Sequence, residues 1–277
     1  MGRSSARALT IALALGAAAF LPPRLQAQTL PPVAADRPVE RTDANSRTAH
    51  AQLVEKARRG RIDVYFVGDS ITRRWGALDY PAFLQNWTDN FHGWHAANFG
   101  WGGDTTQNIL WRLQSGELEG VAPKVFVLQA GTNNVAAAAA SPDRDAVVAD
   151  VTRGITAIVD LLRGHAPDAT IIVTAIFPRS DNAALMPAID AINRNLAGLA
   201  GRPGVRFLTI NDRFTDRDGR LSAEVMPDGL HPSLKGYQVW ADALKPMLVE
   251  LLGPPASVDL SPPPTGDPSA ASPRTGR

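Results

Sequence analysis

The 277-residue sequence contains no cysteine, which excludes disulfide scaffolds, thiolate zinc sites and cysteine nucleophiles together. It also lacks an excess of either charge, since 28 Lys and Arg stand against 27 Asp and Glu. A protein that binds nucleic acid through bulk charge is therefore not expected. Apolar residues make up 44% of the chain and charged residues 20%, which is an ordinary globular composition. Covalent catalysis in such a protein must use an oxygen or nitrogen nucleophile.

Long apolar runs are also missing, and a helix that crosses a membrane needs about 20 apolar residues. A shorter run covers residues 8–21, follows two arginines and precedes a small-residue site at Ala27. This pattern predicts a signal peptide over residues 1–27 that is cleaved on export. Cleavage after Ala35 and an uncleaved anchor are the alternatives. We therefore expect a secreted or periplasmic protein with no integral membrane span after cleavage.

Composition divides the rest of the chain into three parts. Residues 28–45 are predicted to form a flexible N-terminal segment. Residues 254–277 are rich in Pro and Ser and hold little to bury, which predicts a disordered tail. The interval 46–253 carries the periodic apolar pattern, and its length fits a single domain.

Short β-branched and aromatic runs alternate with segments of helical period throughout that domain. The helical period is clearest between Val147 and Leu162, where the apolar residues fall on one face. This alternation predicts an α/β fold, a three-layer α/β/α sandwich with a five-stranded parallel sheet, whose ligand site lies at the carboxyl ends of the strands. The predicted strands cover residues 62–67, 94–99, 125–129, 170–177 and 205–210, and two further helices cover residues 183–199 and 233–252.

Glycine-rich polar segments follow the first three predicted strands. They cover residues 68–70, 100–104 and 131–134, and a fourth segment, 228–232, precedes the last helix. Because the carboxyl ends of parallel strands meet at one rim of the sheet, we expect these four segments to lie close together.

Ser70 is the candidate nucleophile, because it lies where the first strand gives way to a helix and its hydroxyl can meet a carbonyl carbon. His231 is the candidate base, and Asp228 is spaced to hold its tautomer. The alternative interpretations are structural: Ser70 as a helix cap, Asp228 as a capping residue and His231 as an ordinary residue at the start of a helix.

An ester hydrolase also needs donors where negative charge develops on the carbonyl oxygen. Three candidates are the N–H of Ser70, the N–H of Gly103 and the side-chain amide of Asn133. Glycine lets the backbone approach a substrate closely, and an amide donates without a charge to neutralise. The alternative is that Gly103 relieves a tight turn before a helix capped by Asp104, and that Asn133 adopts a turn conformation.

Four motifs, which follow one another along the chain in the family's order, resemble those of the SGNH (GDSL) hydrolase superfamily. They are Gly-Asp-Ser-Ile-Thr at 68–72, the segment 98–106, Gly-Thr-Asn-Asn at 131–134 and Asp-Gly-Leu-His-Pro at 228–232. The segments 110–113, 116–119 and 235–237 are, more narrowly, similar to the catalytic subunits of intracellular platelet-activating-factor acetylhydrolase. Together the similar segments cover about residues 61–252.

The resemblance implies an SGNH hydrolase domain with a flavodoxin-like fold. It implies Ser70 as nucleophile, the Ser70 amide, Gly103 and Asn133 as oxyanion donors, and Asp228 with His231 as the rest of a catalytic triad. It also implies an acyl-enzyme mechanism that needs neither metal nor organic cofactor. We therefore expect a secreted serine esterase for short acyl or acetyl esters, with a small-molecule, lipid or acetylated-glycan substrate and an undetermined oligomeric state.

Other functions are weighed against this one. An exported glycan-binding module that has lost catalysis is the first alternative, and nucleotide binding by the glycine loops is the second, although neither phosphate-loop nor dinucleotide fingerprint is complete. His92 and His95 suggest zinc only weakly, because the sequence places no carboxylate or cysteine beside them. Four tryptophans line either the core or the substrate pocket: Trp75, Trp87, Trp101 and Trp111.

Overall fold

A computed structural model describes residues 33–270 of the chain. The predicted signal peptide therefore lies outside the described residues. Within 33–270, none of the helices has both the length and the apolar character that crossing a membrane requires.

Five strands alternate with helices in the described part of the chain. The strands are β1 (Val64–Gly68), β2 (Ala96–Gly100), β3 (Val125–Gln129), β4 (Thr170–Thr174) and β5 (Val205–Leu208). The helices are α1 (Ala44–Ala57), α2 (Ser70–Trp75), α3 (Pro81–Phe91), α4 (Thr106–Arg112), α5 (Thr132–Ala137), α6 (Arg144–His165), α7 (Met186–Ala197), α8 (Asn211–Phe214) and α9 (Leu234–Leu252).

The strands form one parallel sheet in the order β2-β1-β3-β4-β5. Val64 of the central strand β1 lies opposite Ala96 on one side and Val125 on the other. The carboxyl ends of β1, β2 and β3 are therefore neighbours, and the loops that follow them share one rim.

Side chains alternate between the two faces of this sheet, because successive residues of a strand point in opposite directions. On β1, Tyr65 belongs to a hydrophobic cluster with side chains from α1, α4, α6 and α7, whereas Phe66 belongs to a second cluster with side chains from α2, α3 and α9. Both faces of the sheet are covered by helices, so the predicted three-layer α/β/α sandwich with a five-stranded parallel sheet is confirmed.

An aromatic cluster fills the face that carries α2 and α9. The Trp75 ring stacks on those of Tyr237 and Trp240, each with its centroid 5.0 Å away, and meets Trp87 edge to face. Trp75 and Trp87 thus belong to the core. Trp101 is also buried, and its indole N–H donates to the Ser46 hydroxyl at 3.0 Å, while Trp111 is half-buried beside His50.

The ends of some strands differ from the sequence prediction for local reasons. β2 begins at Ala96, two residues late, because Gly93 and His95 have left-handed backbone angles (φ 86° and 50°) that a strand does not accept. β4 ends at Thr174 rather than at residue 177, and Ile176 donates its N–H to the Asn193 side chain at 2.8 Å.

A disordered tail was predicted over residues 254–277. The structure packs the segment 254–270 against the domain, and residues 271–277 lie outside the described part of the chain. Its residues have few apolar side chains, but their backbone pairs with loops of the domain. Ala256 N–H donates to the Gly93 carbonyl at 2.9 Å, and the Leu260 carbonyl accepts from Arg61 N–H at 2.8 Å. Asp259 accepts from the Gly93 N–H at 2.7 Å. Hydrogen bonds hold this segment to the domain, and Pro262 is buried as well.

A flexible segment was predicted over residues 28–45. Residues 33–45 instead contact the domain, and residues 28–32 lie outside the described part of the chain. Ala35 is fully buried, and its carbonyl accepts from the Thr106 hydroxyl at 2.8 Å. Helix α1 begins at Ala44, capped by the Asp43 carboxylate, which accepts from Ser46 N–H at 2.9 Å. The domain therefore includes residues before 46.

Candidate active site

Ser70 begins helix α2 directly after strand β1, and Asp69 forms the cap. The Asp69 carboxylate accepts from the Ile71 N–H at 2.9 Å. Gly68 is required before it, because a Cβ there would lie 2.1 Å from the Thr72 hydroxyl oxygen and 2.5 Å from the Gln129 carbonyl oxygen. The helix cap is thus Asp69 rather than Ser70, which leaves the Ser70 hydroxyl available for other contacts.

Ser70, His231 and Asp228 form a hydrogen-bonded series. The Ser70 Oγ lies 3.0 Å from His231 Nε2, and His231 Nδ1 lies 2.8 Å from Asp228 Oδ2. The other Asp228 oxygen accepts from the backbone N–H groups of Leu230 at 3.0 Å and His231 at 2.7 Å. A carboxylate at Nδ1 keeps the proton on that nitrogen and leaves Nε2 free to accept the serine proton.

Electrostatics favour a neutral imidazole and an ionised carboxylate in this series. Burial lowers the pKa of His231, the hydrogen bond to Asp228 opposes that effect, and the Arg74 guanidinium lowers the pKa further. Burial acts to raise the pKa of Asp228, but the hydrogen bonds from His231 and Leu230 outweigh it and bring the value to about 2. Arg74 lies 3.5 Å from Asp228 Oδ2. The imidazole is therefore able to accept a proton near neutral pH.

The loop after β2, residues 101–104, lies beside Ser70, and we call it the oxyanion loop because it contains the predicted oxyanion donor Gly103. A Cβ added at Gly102 would be 4.0 Å from the Ser70 Cβ. Gly103 is exposed, and its backbone is left-handed (φ 79°), a conformation that glycine adopts without strain. Asn133, near the start of α5, donates its amide N–H to the Asp104 carbonyl at 2.8 Å. The Asn133 side chain is thus hydrogen-bonded to the loop that contains Gly103.

Buried charges hold this loop from the inside. The carboxylate of Asp104 accepts from Arg112 Nε at 2.7 Å, and Arg112 Nη1 donates to Glu117. Glu117 also faces His50 Nδ1 at 3.0 Å. Burial raises the pKa of Asp104, against the lowering effect of Arg112. Helix α4 is capped by Thr105, which forms a capping box with Asn108, and not by Asp104 as the alternative interpretation had it.

Arg179 is a second buried arginine, and it joins two parts of the site. Its guanidinium donates to the carbonyl and hydroxyl of Thr132 at 3.2 and 3.1 Å and pairs with Asp181. The next residue, Ser180, donates its N–H to the Gly229 carbonyl at 2.9 Å. The loop after β4 thus connects the start of α5 with the loop that carries His231.

The sequence interpretation did not assign roles to Arg112, Glu117 or Arg179. Arg179 follows the fourth strand at the same rim as the other loops, so the position of that strand was the signal that pointed to it. Arg112 and Glu117 are charged residues within an apolar segment, which was the signal for a buried pair. Asp69 is fully buried, and burial together with Asp104 raises its pKa to about 7 despite the hydrogen bond from Ile71.

The described residues contain no group of three or more His, Asp or Glu side chains arranged to hold a metal ion. His92 and His95 both face Asp259, at 4.0 and 3.4 Å, a carboxylate that lies far away in sequence. His95 Nδ1 also accepts from the Leu260 N–H at 3.0 Å. These histidines therefore anchor the segment 254–270.

A parallel α/β sheet that presents a hydroxyl, an imidazole and a carboxylate in series at its rim is typical of serine hydrolases. The family model of the GDSL-like Lipase/Acylhydrolase family matches residues 66–239. The chain belongs to this family and is a hydrolase that acts on esters. The resemblance to SGNH (GDSL) hydrolases is thereby confirmed.

Individual relatives agree with this membership. The chain is 34% identical to Platelet-activating factor acetylhydrolase IB subunit alpha1 of Homo sapiens over 225 residues, 80% of this chain and 91% of the relative. A GDSL-like lipase from Bacteroides thetaiotaomicron superposes with a TM-score of 0.55 at 21% identity, covering 74% of this chain and 96% of that one. An acetyl-xylooligosaccharide esterase from Geobacillus superposes with a TM-score of 0.52 at 17% identity, covering 68% and 93%.

Proposed function

We propose that the protein is a secreted serine esterase that cleaves short acyl esters, acetyl esters first, through an acyl-enzyme. The observation that carries this proposal is the series from Ser70 Oγ through His231 to Asp228, with distances of 3.0 and 2.8 Å. The family membership supplies the reaction class, and this geometry supplies a nucleophile, a base and a group that orients the base.

The proposed reaction has two halves. Ser70 Oγ attacks the ester carbonyl carbon while His231 Nε2 takes its proton, and the carbonyl oxygen becomes an oxyanion. The N–H groups of Ser70 and Gly103 and the amide of Asn133 stabilise that charge. The intermediate collapses, the alcohol leaves with the proton from His231, and the acyl group stays on Ser70. Water, activated by His231, then releases the acid by the same steps.

Support for a short acyl group comes from the relatives. One is named an acetylhydrolase and another an acetyl-xylooligosaccharide esterase, although they differ in what carries the acetyl group. We therefore propose acetyl as the preferred acyl group and leave the alcohol as either a lipid or a glycan. Neither a metal nor an organic cofactor takes part in the proposed reaction.

Export is the second element of the proposal, and the run at residues 8–21 supports it. Of the two cleavage positions, Ala27 is favoured. Cleavage after Ala35 would remove a buried residue whose N–H donates to the Asp150 carboxylate at 3.2 Å and whose carbonyl accepts from Thr106. Cleavage after Ala27 keeps both contacts.

The test is hydrolysis of 4-nitrophenyl acetate and octanoate by the purified mature protein and by Ser70→Ala. We expect turnover by the wild type, faster for the acetate, and none by Ser70→Ala, whose circular dichroism and melting temperature stay the same. Mass spectrometry of wild type quenched during turnover should show one acetyl group on the peptide that contains Ser70.

Other outcomes contradict separate parts of the proposal. Faster octanoate turnover would overturn the acyl preference alone. A wild type that binds glycans without hydrolysing any acetate would favour the alternative of a glycan-binding module. Turnover that persists in Ser70→Ala would refute the nucleophile.

A further inference from the structure

The segment of residues 33–43, which we call the N-terminal strap, lies along the first turn of helix α4. Val39 donates its N–H to the Gln107 carbonyl at 3.0 Å, and the Val39 carbonyl accepts from the Asn108 amide at 3.0 Å. The Ala35 carbonyl accepts from the hydroxyl of Thr106, the first residue of α4, at 2.8 Å. Helix α4 follows the oxyanion loop directly, so the strap is held beside that loop.

Arg41 of the strap reaches the oxyanion loop itself. Its Nη1 donates to the Gly102 carbonyl at 2.6 Å and lies 3.5 Å from the Asp104 carboxylate. A Cβ at Gly103 would lie 3.3 Å from the same nitrogen. Asp43 orients the guanidinium from the other side, at 3.3 Å from Nε. The side chain is one-third exposed, so it is a surface group with fixed partners.

The Gly102 carbonyl and the Gly103 N–H belong to one peptide group. Because that group is planar and trans, fixing the direction of the carbonyl fixes the N–H in the opposite direction. The peptide lies between two glycines, which rotate more freely than other residues and allow the plane to turn. A cationic donor on the carbonyl also polarises the peptide and strengthens its N–H as a donor.

We propose that Arg41 is a positioning residue of the oxyanion hole, which aims and strengthens the Gly103 N–H through the Gly102 carbonyl. This inference rests on the proposed function. The inner side of the loop is held by Arg112 on the Asp104 carboxylate and by Asn133 on the Asp104 carbonyl. None of these inner contacts touches the Gly102 carbonyl, so Arg41 holds the peptide that they leave free to turn.

The test compares Arg41→Ala and Arg41→Lys with Arg47→Ala. Arg47 is the matched control, because its exposed guanidinium pairs with Glu40 of the same strap at 2.8 Å rather than with the loop. We expect Arg41→Ala to lower kcat for 4-nitrophenyl acetate about tenfold to a hundredfold at nearly unchanged KM, part of the cost of a lost oxyanion donor. Arg41→Lys should fall between, and Arg47→Ala should match the wild type.

Chemical rescue separates positioning from general structural support. Guanidinium at low concentration should raise the kcat of Arg41→Ala by occupying the same place, whereas a variant that is merely destabilised loses activity in it. A kcat for Arg41→Ala within about twofold of wild type would overturn the inference. So would a loss that also appears in Arg47→Ala or that resists rescue. If Arg41→Ala does not fold, Arg41→Lys decides, and wild-type kcat with a wild-type melting temperature counts against the inference.

Failure of the proposed function looks different in the same experiment. It leaves the wild type and Arg47→Ala inactive on the acetate. Failure of the inference leaves both of them active and Arg41→Ala equally so.

Discussion

Replacing Glu117 by Gln tests whether the buried charges under the oxyanion loop stabilise the protein. The Glu117 side chain is fully buried between Arg112 and His50, and each of its oxygens faces one of them. Gln keeps the shape but removes the charge, and its NH2 group must then face one of two nitrogen atoms. Since Arg112 has only donors, the amide oxygen must stay on Arg112, and the buried guanidinium keeps a hydrogen bond there but loses the carboxylate charge.

The size of the effect follows from burial. Removing one partner of a buried ion pair costs about 3–5 kcal/mol of unfolding free energy, and we expect about 3 because Arg112 keeps its bond to Asp104. For a domain of this size each kcal/mol lowers the melting temperature by about 2–4 °C, so the expected fall is about 6–12 °C. The matched control is Glu250→Gln, which breaks an exposed two-bond pair with Arg206. That change should leave the melting temperature nearly unchanged, because a solvent-exposed ion pair contributes little to stability.

The assay is thermal unfolding followed by circular dichroism, with wild type, Glu117→Gln and Glu250→Gln measured at one pH and protein concentration. Chemical unfolding in urea gives the free energies directly if the transition is two-state. Equal shifts in the two variants would refute the reasoning, because burial is the difference between the pairs. A shift confined to Glu250→Gln would refute it as well.

Three further predictions concern catalysis. In the proposed reaction the Asn133 amide donates to the oxyanion, and in the structure it also donates to the Asp104 carbonyl. Asn133→Ala should therefore lower kcat about a hundredfold to a thousandfold with little change in KM. Steady-state kinetics on the acetate ester measure this effect, and a change in KM alone would contradict it. Asp228→Asn should lower kcat about ten-thousandfold, because an amide in place of the carboxylate favours the His231 tautomer whose Nε2 carries the proton. A mild loss of kcat would mean that Ser70 and His231 suffice as a dyad. Burial lowers the pKa of His231, and the proposed reaction needs the neutral ring. The value of kcat/KM should therefore fall with decreasing pH around a midpoint below the ordinary histidine pKa of about 6.5, and a midpoint above that ordinary value would contradict this expectation.

The sheet was predictable because its strands are buried on both faces. Such strands are short, continuous apolar runs, and β3 has the predicted bounds Val125–Gln129. The rule that ligand sites lie at the carboxyl ends of strands then places Ser70, Gly103 and Asn133 at one rim, where the structure also has them. His231 and Asp228 were predictable from their spacing, because three residues are enough for a carboxylate to reach the imidazole.

The contacts of the strap and of the segment 254–270 were not predictable, because many of them are hydrogen bonds to backbone groups. A carbonyl such as that of Gly102 leaves no mark in the sequence, and neither does the arginine that binds it. Arg41 is one charged residue in a segment whose composition is that of any loop. For the same reason the segment 254–270 has the composition of a disordered chain although Asp259 and Leu260 are hydrogen-bonded to the body. Composition reports apolar burial and is silent on contacts of this kind.

The segment 254–270 also gives the chain a closing contact. Asp267 accepts from the Asn45 side chain at 2.9 Å, across 222 residues of sequence, so the stretch from α1 to residue 267 forms a ring. During synthesis from the N-terminus, Asn45 is added to the chain long before Asp267. Helix α1 can therefore make this contact only after the rest of the domain has been synthesised. Bringing two such distant points together costs loop entropy that only a folded body offsets, which makes the contact a late event in folding.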